Sequence, residues 1–258
     1  MKHLILSLFV VLLVQSAFCQ SSTGAKETTY FLDINSKEVA NIKNAKYLIH
    51  RVQENDTSVL VEKYNFNGPL ISAEHFKDEK AGTRNGTAAY YNKNGLIDSS
   101  GNFINNLKSG SWFYLNSEGV YKYQRNFIEG NLIAEIDLTK KPTVDSSQKK
   151  QIGSKTETLV EMESTFPGDN HGWSIYLTKK LKYPERAINL NKQGQVVILF
   201  VVDKNGEISS PMIARSVEFS LDQEALRMIK ESPNWIPAVQ NGRPVKSYKR
   251  QPITFKLR

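Results

Sequence analysis

The stretch GQVVILFVVDKNGEI, Gly194 to Ile208, decides the fold of the C-terminal part of this chain. Val196 to Val202 is an unbroken apolar run, mostly β-branched. Such a run suits a strand that is buried on both faces or paired on both edges. Asp203-Lys204-Asn205-Gly206 is turn chemistry, since aspartate and asparagine bond their own backbone and glycine accepts positive φ. A second strand is expected over Glu207 to Ser216. Pro211 has no donor, which marks that strand as an edge or a bulge.

Working outward, Asp169 or Asn170 can cap a helix that carries Trp173, Leu177 and Leu181 at spacing four, with Tyr176 beside them. The helix should end near Lys182, because Pro184 disfavours helical geometry in the residue before it. Pro184 then suits the first position of a short helix, Pro184 to Ile188. Downstream, Ser220 and Gln223 read as a capping box. The helix Leu221 to Glu231 puts Leu221, Ala225, Met228 and Ile229 on one face, and Pro233 lies just past its end. In the last strand Ile253, Phe255 and Leu257 face one side, and Thr254, Lys256 and Arg258 the other. Pro252 near its start again suits an edge. The order helix, helix, strand, strand, helix, strand predicts an α+β domain of two layers, a three-stranded antiparallel sheet with helices.

The first half of the chain reads as mostly β. Placing Gly86 over Gly110 puts Tyr90 on Tyr114, Gly95 on Gly119, Leu96 on Val120 and Phe103 on Phe127. A weaker copy upstream matches Tyr64, Gly68 and Phe76 to Tyr91, Gly95 and Phe103. Each unit is a strand, a turn at Asn-Gly or Glu-Gly, and a second strand. Hairpins with aromatic faces cannot bury those faces alone, so they should stack into one extended sheet. A polar stretch, TKKPTVDSSQKKQIGSK from Thr139 to Lys155, reads as a linker. The expected organisation is a leader at 1–19, a β-hairpin repeat region at 20–138, a polar linker at 139–165 and an α+β domain at 166–258.

The 258 residues carry 34 basic and 26 acidic side chains, a formal net charge of +8. No block of like charges concentrates it, so a solubilising surface is expected rather than a nucleic-acid footprint. Lys2 and His3 precede an apolar run from Leu4 to Val14, followed by Ala17-Phe18-Cys19. That is the layout of a secretory signal cut after Cys19. The run is too short for a spanning helix, which needs about 20 residues. A lipoprotein signal, cut before Cys19, is the rival reading. Cys19 is the only cysteine, so a mature chain cut after it has no disulfide. His50, His75 and His171 lie far apart and no CxxC occurs, so no metal site or cofactor is expected. There is also no GxSxG, HExxH or phosphate loop, and an enzyme is not expected. Glu161 and Glu163 sit in polar sequence and read as solvated.

Two resemblances add to this. GTAAYYNKNG and GSWFYLNSEG resemble the MORN-like repeats of some bacterial envelope proteins, over roughly Tyr64 to Leu132. LKYPERA, GQVVILFVVDKNGEI, SLDQEALRMI, PNWIPAVQNGRPV and PITFKL resemble, in order and spacing, the TonB C-terminal domain. FPG at Phe166 to Gly168 looks like a variant of TonB-like envelope proteins. The second resemblance implies a periplasmic protein-binding module. Its final strand would offer an open edge to an extended peptide of an outer-membrane TonB-dependent transporter or another envelope protein, by β-strand addition. The partner-binding residues it implies are Lys182, Tyr183, Pro184, Tyr248, Lys249, Arg250, Gln251, Ile253, Thr254, Phe255 and Lys256. The family's TonB of enteric bacteria has glutamine before the YP motif where this chain has Lys182, so a side-chain contact does not carry over there. Self-association as a homodimer is left open, and no nucleic-acid partner is expected. The alternative is a membrane-anchored energy transducer. Against it, the linker has one proline, Pro142, and seventeen extended residues at about 3.1 Å each would reach only on the order of 50 Å.

Overall fold

The computed structural model describes residues 26–80, 82–140 and 162–257. The expected leader and the greater part of the expected linker lie outside the described residues. The first half forms one sheet of nine strands, β1 (Lys26–Leu32), β2 (Tyr47–Asn55), β3 (Ser58–Asn65), β4 (Leu70–Asp78), β5 (Thr83–Tyr91), β6 (Ile97–Ile104), β7 (Leu107–Leu115), β8 (Tyr121–Ile128) and β9 (Asn131–Asp137). The strands lie in chain order and each pair is antiparallel, an open meander rather than a barrel.

The turns repeat. Gly68, Gly95 and Gly119 donate their N–H groups to the carbonyls of Asn65, Asn92 and Asn116 at 3.1, 2.9 and 3.0 Å. Asn92 Oδ1 also accepts from the N–H groups of Asn94 and Leu96, and Asn116 Oδ1 from those of Glu118 and Val120. Gly95 and Gly119 have φ of 75° and 78°, which a side chain would resist. Between the turns, aromatic residues meet across strands. Trp112, 1% exposed, packs edge-on to Phe103 at 5.0 Å, with the Lys108 ammonium 4.3 Å from the Trp112 ring. Gly101 makes room for Trp112, since a Cβ there would lie 2.4 Å from the indole.

The second half holds α1 (Asp169–Lys180), α2 (Glu185–Asn189), β10 (Gly194–Val202), β11 (Ile208–Arg215), α3 (Phe219–Lys230), β12 (Ala238–Gln240), β13 (Arg243–Val245) and β14 (Ser247–Phe255). Its main sheet has the antiparallel order β11-β10-β14. The apolar run is the central strand, and Pro211 lies on the edge strand β11, as its missing donor requires. α3 buries Leu221, Ala225, Met228 and Ile229.

Three local expectations are corrected. The cap of α1 is Gly168, with φ of 79°, not Asp169 or Asn170. The cap of α3 is Glu218, whose carboxylate accepts from the Ser220 N–H at 2.9 Å and from the Ser220 hydroxyl at 2.6 Å. Arg186 holds that carboxylate at 2.6 Å, so Ser220 falls inside the helix as a donor. The stretch Ala238 to Val245 forms a hairpin, β12 with β13, that the sequence reading did not place. Met162 and Thr165, expected within the linker, form bridges with Val239 and Ile236.

The two sheets share a core. Leu48, Tyr64 and Leu70 of the meander join Trp173, Phe200, Leu221, Met228 and Phe255 in one buried cluster. Phe219 of α3 packs edge-on to both His50 and Tyr64, at 5.2 and 5.3 Å. Polar groups at the joint are paired. Tyr91 Oη donates to the carbonyl of Ile213 at 2.7 Å, and Gln223 Nε2 donates to Glu62 Oε2 at 3.0 Å. Ser216 Oγ accepts from the Leu70 N–H at 2.7 Å and donates to Asp222 Oδ2 at 2.5 Å. Burial pushes the Asp222 carboxyl well above the usual carboxylate range. Burial alone would lower the pKa of His50. Its hydrogen bonds with Glu27 and Glu62 outweigh that and raise it to about 9.

Candidate functional site

A three-stranded sheet has two edges. The β11 edge meets the meander, where the Ser216 N–H donates to the carbonyl of Gly95 at 2.8 Å and Arg215 bridges Leu96. The β14 edge that faces away from β10 has no strand partner among the described residues. Residues 247–255 pair with 202–194 of β10 in unbroken antiparallel register.

Side chains alternate across β14. Tyr248, Arg250, Pro252 and Thr254 are exposed, Tyr248 to 75%. Ser247, Lys249 and Gln251 are half-buried, and Ile253 and Phe255 are buried in the core at 0% and 2% exposure. In an antiparallel ladder, residues that share a face also share the direction of their N–H and C=O groups. Pro252 lacks a donor, so it fits the parity that points away from β10.

The structure brings most of the residues implied by the sequence together along this edge. Tyr183 packs edge-on to Phe255 at 5.8 Å, and its hydroxyl donates to the carbonyl of Lys192. Lys182 donates its backbone N–H to Glu224 Oε1 at 2.7 Å and leaves its side chain exposed. Pro184 is the N-cap of α2, and Lys256 lies exposed just beyond β14. The side chains of Ile253 and Phe255 belong to the core, so they act on a partner only through the strand they anchor.

The sequence reading missed what lies beside the first half of β14. A recess of about 440 Å³ is framed by residues 162–164, by the β12–β13 hairpin and by residues 247–250. Glu163, which the sequence suggests is simply solvated, is 90% exposed yet stands 3.6 Å from the Lys249 ammonium. Ser164 and Ser247 each place a buried hydroxyl at this recess. No local signal reveals this, because 162–165 finds its strand partner far along the chain. On the outer face, Arg250 Nη2 lies 4.0 Å from where a Cβ on Gly119 would stand, so the meander reaches β14 as well.

A three-stranded antiparallel sheet packed against helices, with one unpaired edge strand, defines a small α+β domain with a ready-made strand template. Residues 179–257 match the family model described as Gram-negative bacterial TonB protein C-terminal. This part of the chain is therefore a TonB-C-terminal-like domain, a type that is non-catalytic and, at the level of the family, serves protein interaction in the periplasm. No curated protein and no solved structure gives a significant match to the chain. Among the described residues no group of three or more His, Cys, Asp or Glu side chains could hold a metal ion. No helix among them is long and apolar enough to cross a membrane.

Proposed function

We propose that this chain is a periplasmic docking protein that adds an extended peptide, from an outer-membrane TonB-dependent transporter or another envelope protein, to the free edge of β14. The observation that carries this reading is the asymmetry of the C-terminal sheet. Its β11 edge is bonded to Gly95 and Leu96, and its β14 edge has no strand partner among the described residues. Main-chain hydrogen bonds from Tyr248, Arg250 and Thr254 supply the affinity, and Pro252 contributes only its carbonyl. The basic side chains along 243–256 attract acidic segments and also deter self-pairing of the edge. The meander is read as a stack of MORN-like repeats that scaffolds the domain and braces its other edge.

The test uses the whole chain as bait in an outer-membrane extract, beside Thr254→Pro and Lys256→Ala. Strand addition predicts that wild type and Lys256→Ala capture the same transporter and that Thr254→Pro loses it. Loss with Lys256→Ala and retention with Thr254→Pro would instead mark recognition by surface charge, and the strand reading fails. N-terminal sequencing of the mature protein addresses the leader: a start at Gln20 excludes a retained Leu4 to Val14 anchor and with it the energy transducer.

A further inference from the structure

The recess beside the first half of β14 carries two hydroxyls that its own fold does not use. Ser164 is 1% exposed, and neither its Oγ nor the buried Oγ of Ser247 has a hydrogen-bond partner among the described residues. A buried hydroxyl without a partner is unfavourable, and native structures rarely leave two side by side. Both line the recess, as does Lys249, whose ammonium is half-buried. Two O–H donors and one N–H donor thus converge on one space, and a carboxylate is the side-chain group that accepts from all three. The carboxylate now nearest Lys249, that of Glu163, is 3.6 Å away and 90% exposed. An ion pair so exposed is weak and readily displaced.

We propose that the recess formed by Ser164, Ser247 and Lys249 is a specificity pocket for an acidic side chain of the peptide bound along β14. This rests on the strand-addition reading and deepens it. In a strand added to the free edge, alternate side chains lie on the face of β14 that bears Ser247 and Lys249. One of them meets the recess. A glutamate there displaces Glu163 from Lys249 and accepts hydrogen bonds from both serines. A glutamine offers one acceptor oxygen and two donors, which meet donors. The pocket therefore fixes the register of a partner that main-chain bonding alone would let slide by two residues.

Two probes separate the pocket from the strand mechanism. The first is a single capped residue, N-acetyl-glutamate N′-methylamide against its glutamine counterpart, titrated into the isotope-labelled chain. The glutamate probe is expected to shift the Ser164, Ser247 and Lys249 amides saturably, several-fold more tightly than the glutamine probe. Lys249→Gln, or Ser164→Ala with Ser247→Ala, should abolish that preference. Equal binding of the two probes, no shift, or an unchanged preference in Lys249→Gln overturns the pocket. The second probe is a set of capped octapeptides of alternating threonine and valine, with one glutamate or glutamine walked along them. One glutamate position should bind about ten-fold more tightly than its glutamine partner, and Lys249→Gln should erase the difference. If all the peptides bind alike, strand addition stands and the pocket falls. If the single residue binds and no peptide does, the pocket stands and strand addition falls.

Discussion

The backbone N–H of Ser216, at the end of β11, donates to the carbonyl of Gly95, in the β5–β6 turn, at 2.8 Å. This bond ties the meander to the C-terminal sheet along the edge that would otherwise be its second open template. The approach is close enough to require glycine. A Cβ at Gly95 would lie 2.2 Å from the Ser216 carbonyl oxygen.

Gly95→Ala and Gly119→Ala form a matched pair. Both glycines occupy the same turn position, with φ of 75° and 78°. A Cβ on Gly119 finds nothing nearer than 3.8 Å. Gly119→Ala should therefore cost only the left-handed backbone term, roughly 1–2 kcal/mol. Gly95→Ala should cost clearly more, by about 1 kcal/mol or above, because the joint must also open. Chemical denaturation of the two variants measures the difference, and equal losses would show that the joint contributes nothing.

His50 gives the joint a pH dependence. Its folded pKa of about 9 lies above the ordinary value of 6.5 because Glu27 and Glu62 bond its ring against the effect of burial. A raised folded pKa means that the contribution is fully present below pH 6.5 and is lost as the pH rises through 9. The shift corresponds to about 3 kcal/mol as an upper order of magnitude. Unfolding free energy should fall between pH 6.5 and pH 9.5 in the wild type, and the fall should be smaller in His50→Gln. Parallel pH profiles for the two would rule this out.

The shared core predicts that the halves stay together when the chain is cut. A specific protease site inserted between Lys149 and Lys150 should yield two fragments that co-elute on size exclusion. Tyr64→Ala, at a side chain with 0% exposure packed on Phe219, should cost about 3–5 kcal/mol, as large buried aromatics do. In the cut protein that substitution should release the fragments. Fragments that separate without it would mean the two sheets have independent cores.

The parity of β14 predicts opposite outcomes for neighbouring prolines. Phe255→Pro removes a bond toward β10 and a core side chain, so it should destabilise strongly. The packing part is about 3–5 kcal/mol, and Phe255→Ala measures it alone. Thr254→Pro removes a donor that points to the free edge, so its melting transition should stay near that of wild type. A melting temperature as low for Thr254→Pro as for Phe255→Pro would reverse the assigned parity.

The sequence by itself determined the local elements and much of their order. The β-branched run at Val196–Val202, the Asp203–Gly206 turn and the Leu221, Ala225, Met228, Ile229 stripe depend on spacing and side-chain shape within one element, and these are readable along the chain. The repeated turns at Gly95 and Gly119 were legible for the same reason, since a backbone of positive φ selects glycine locally. The edge position of Pro211 followed from a missing donor. Only the tertiary structure decided which groups separated in sequence came to share an environment. Glu218 capped α3 in place of Ser220 because Arg186, from another helix, holds its carboxylate. Ser164 and Glu163 met Ser247 and Lys249 because 162–165 pairs with β12. Gly95 had to be glycine for a second reason, the approach of Ser216, which no turn statistics contain. Long-range pairing depends on complementary shapes and unpaired polar groups on two distant segments, and a single sequence records the segments without recording that they touch.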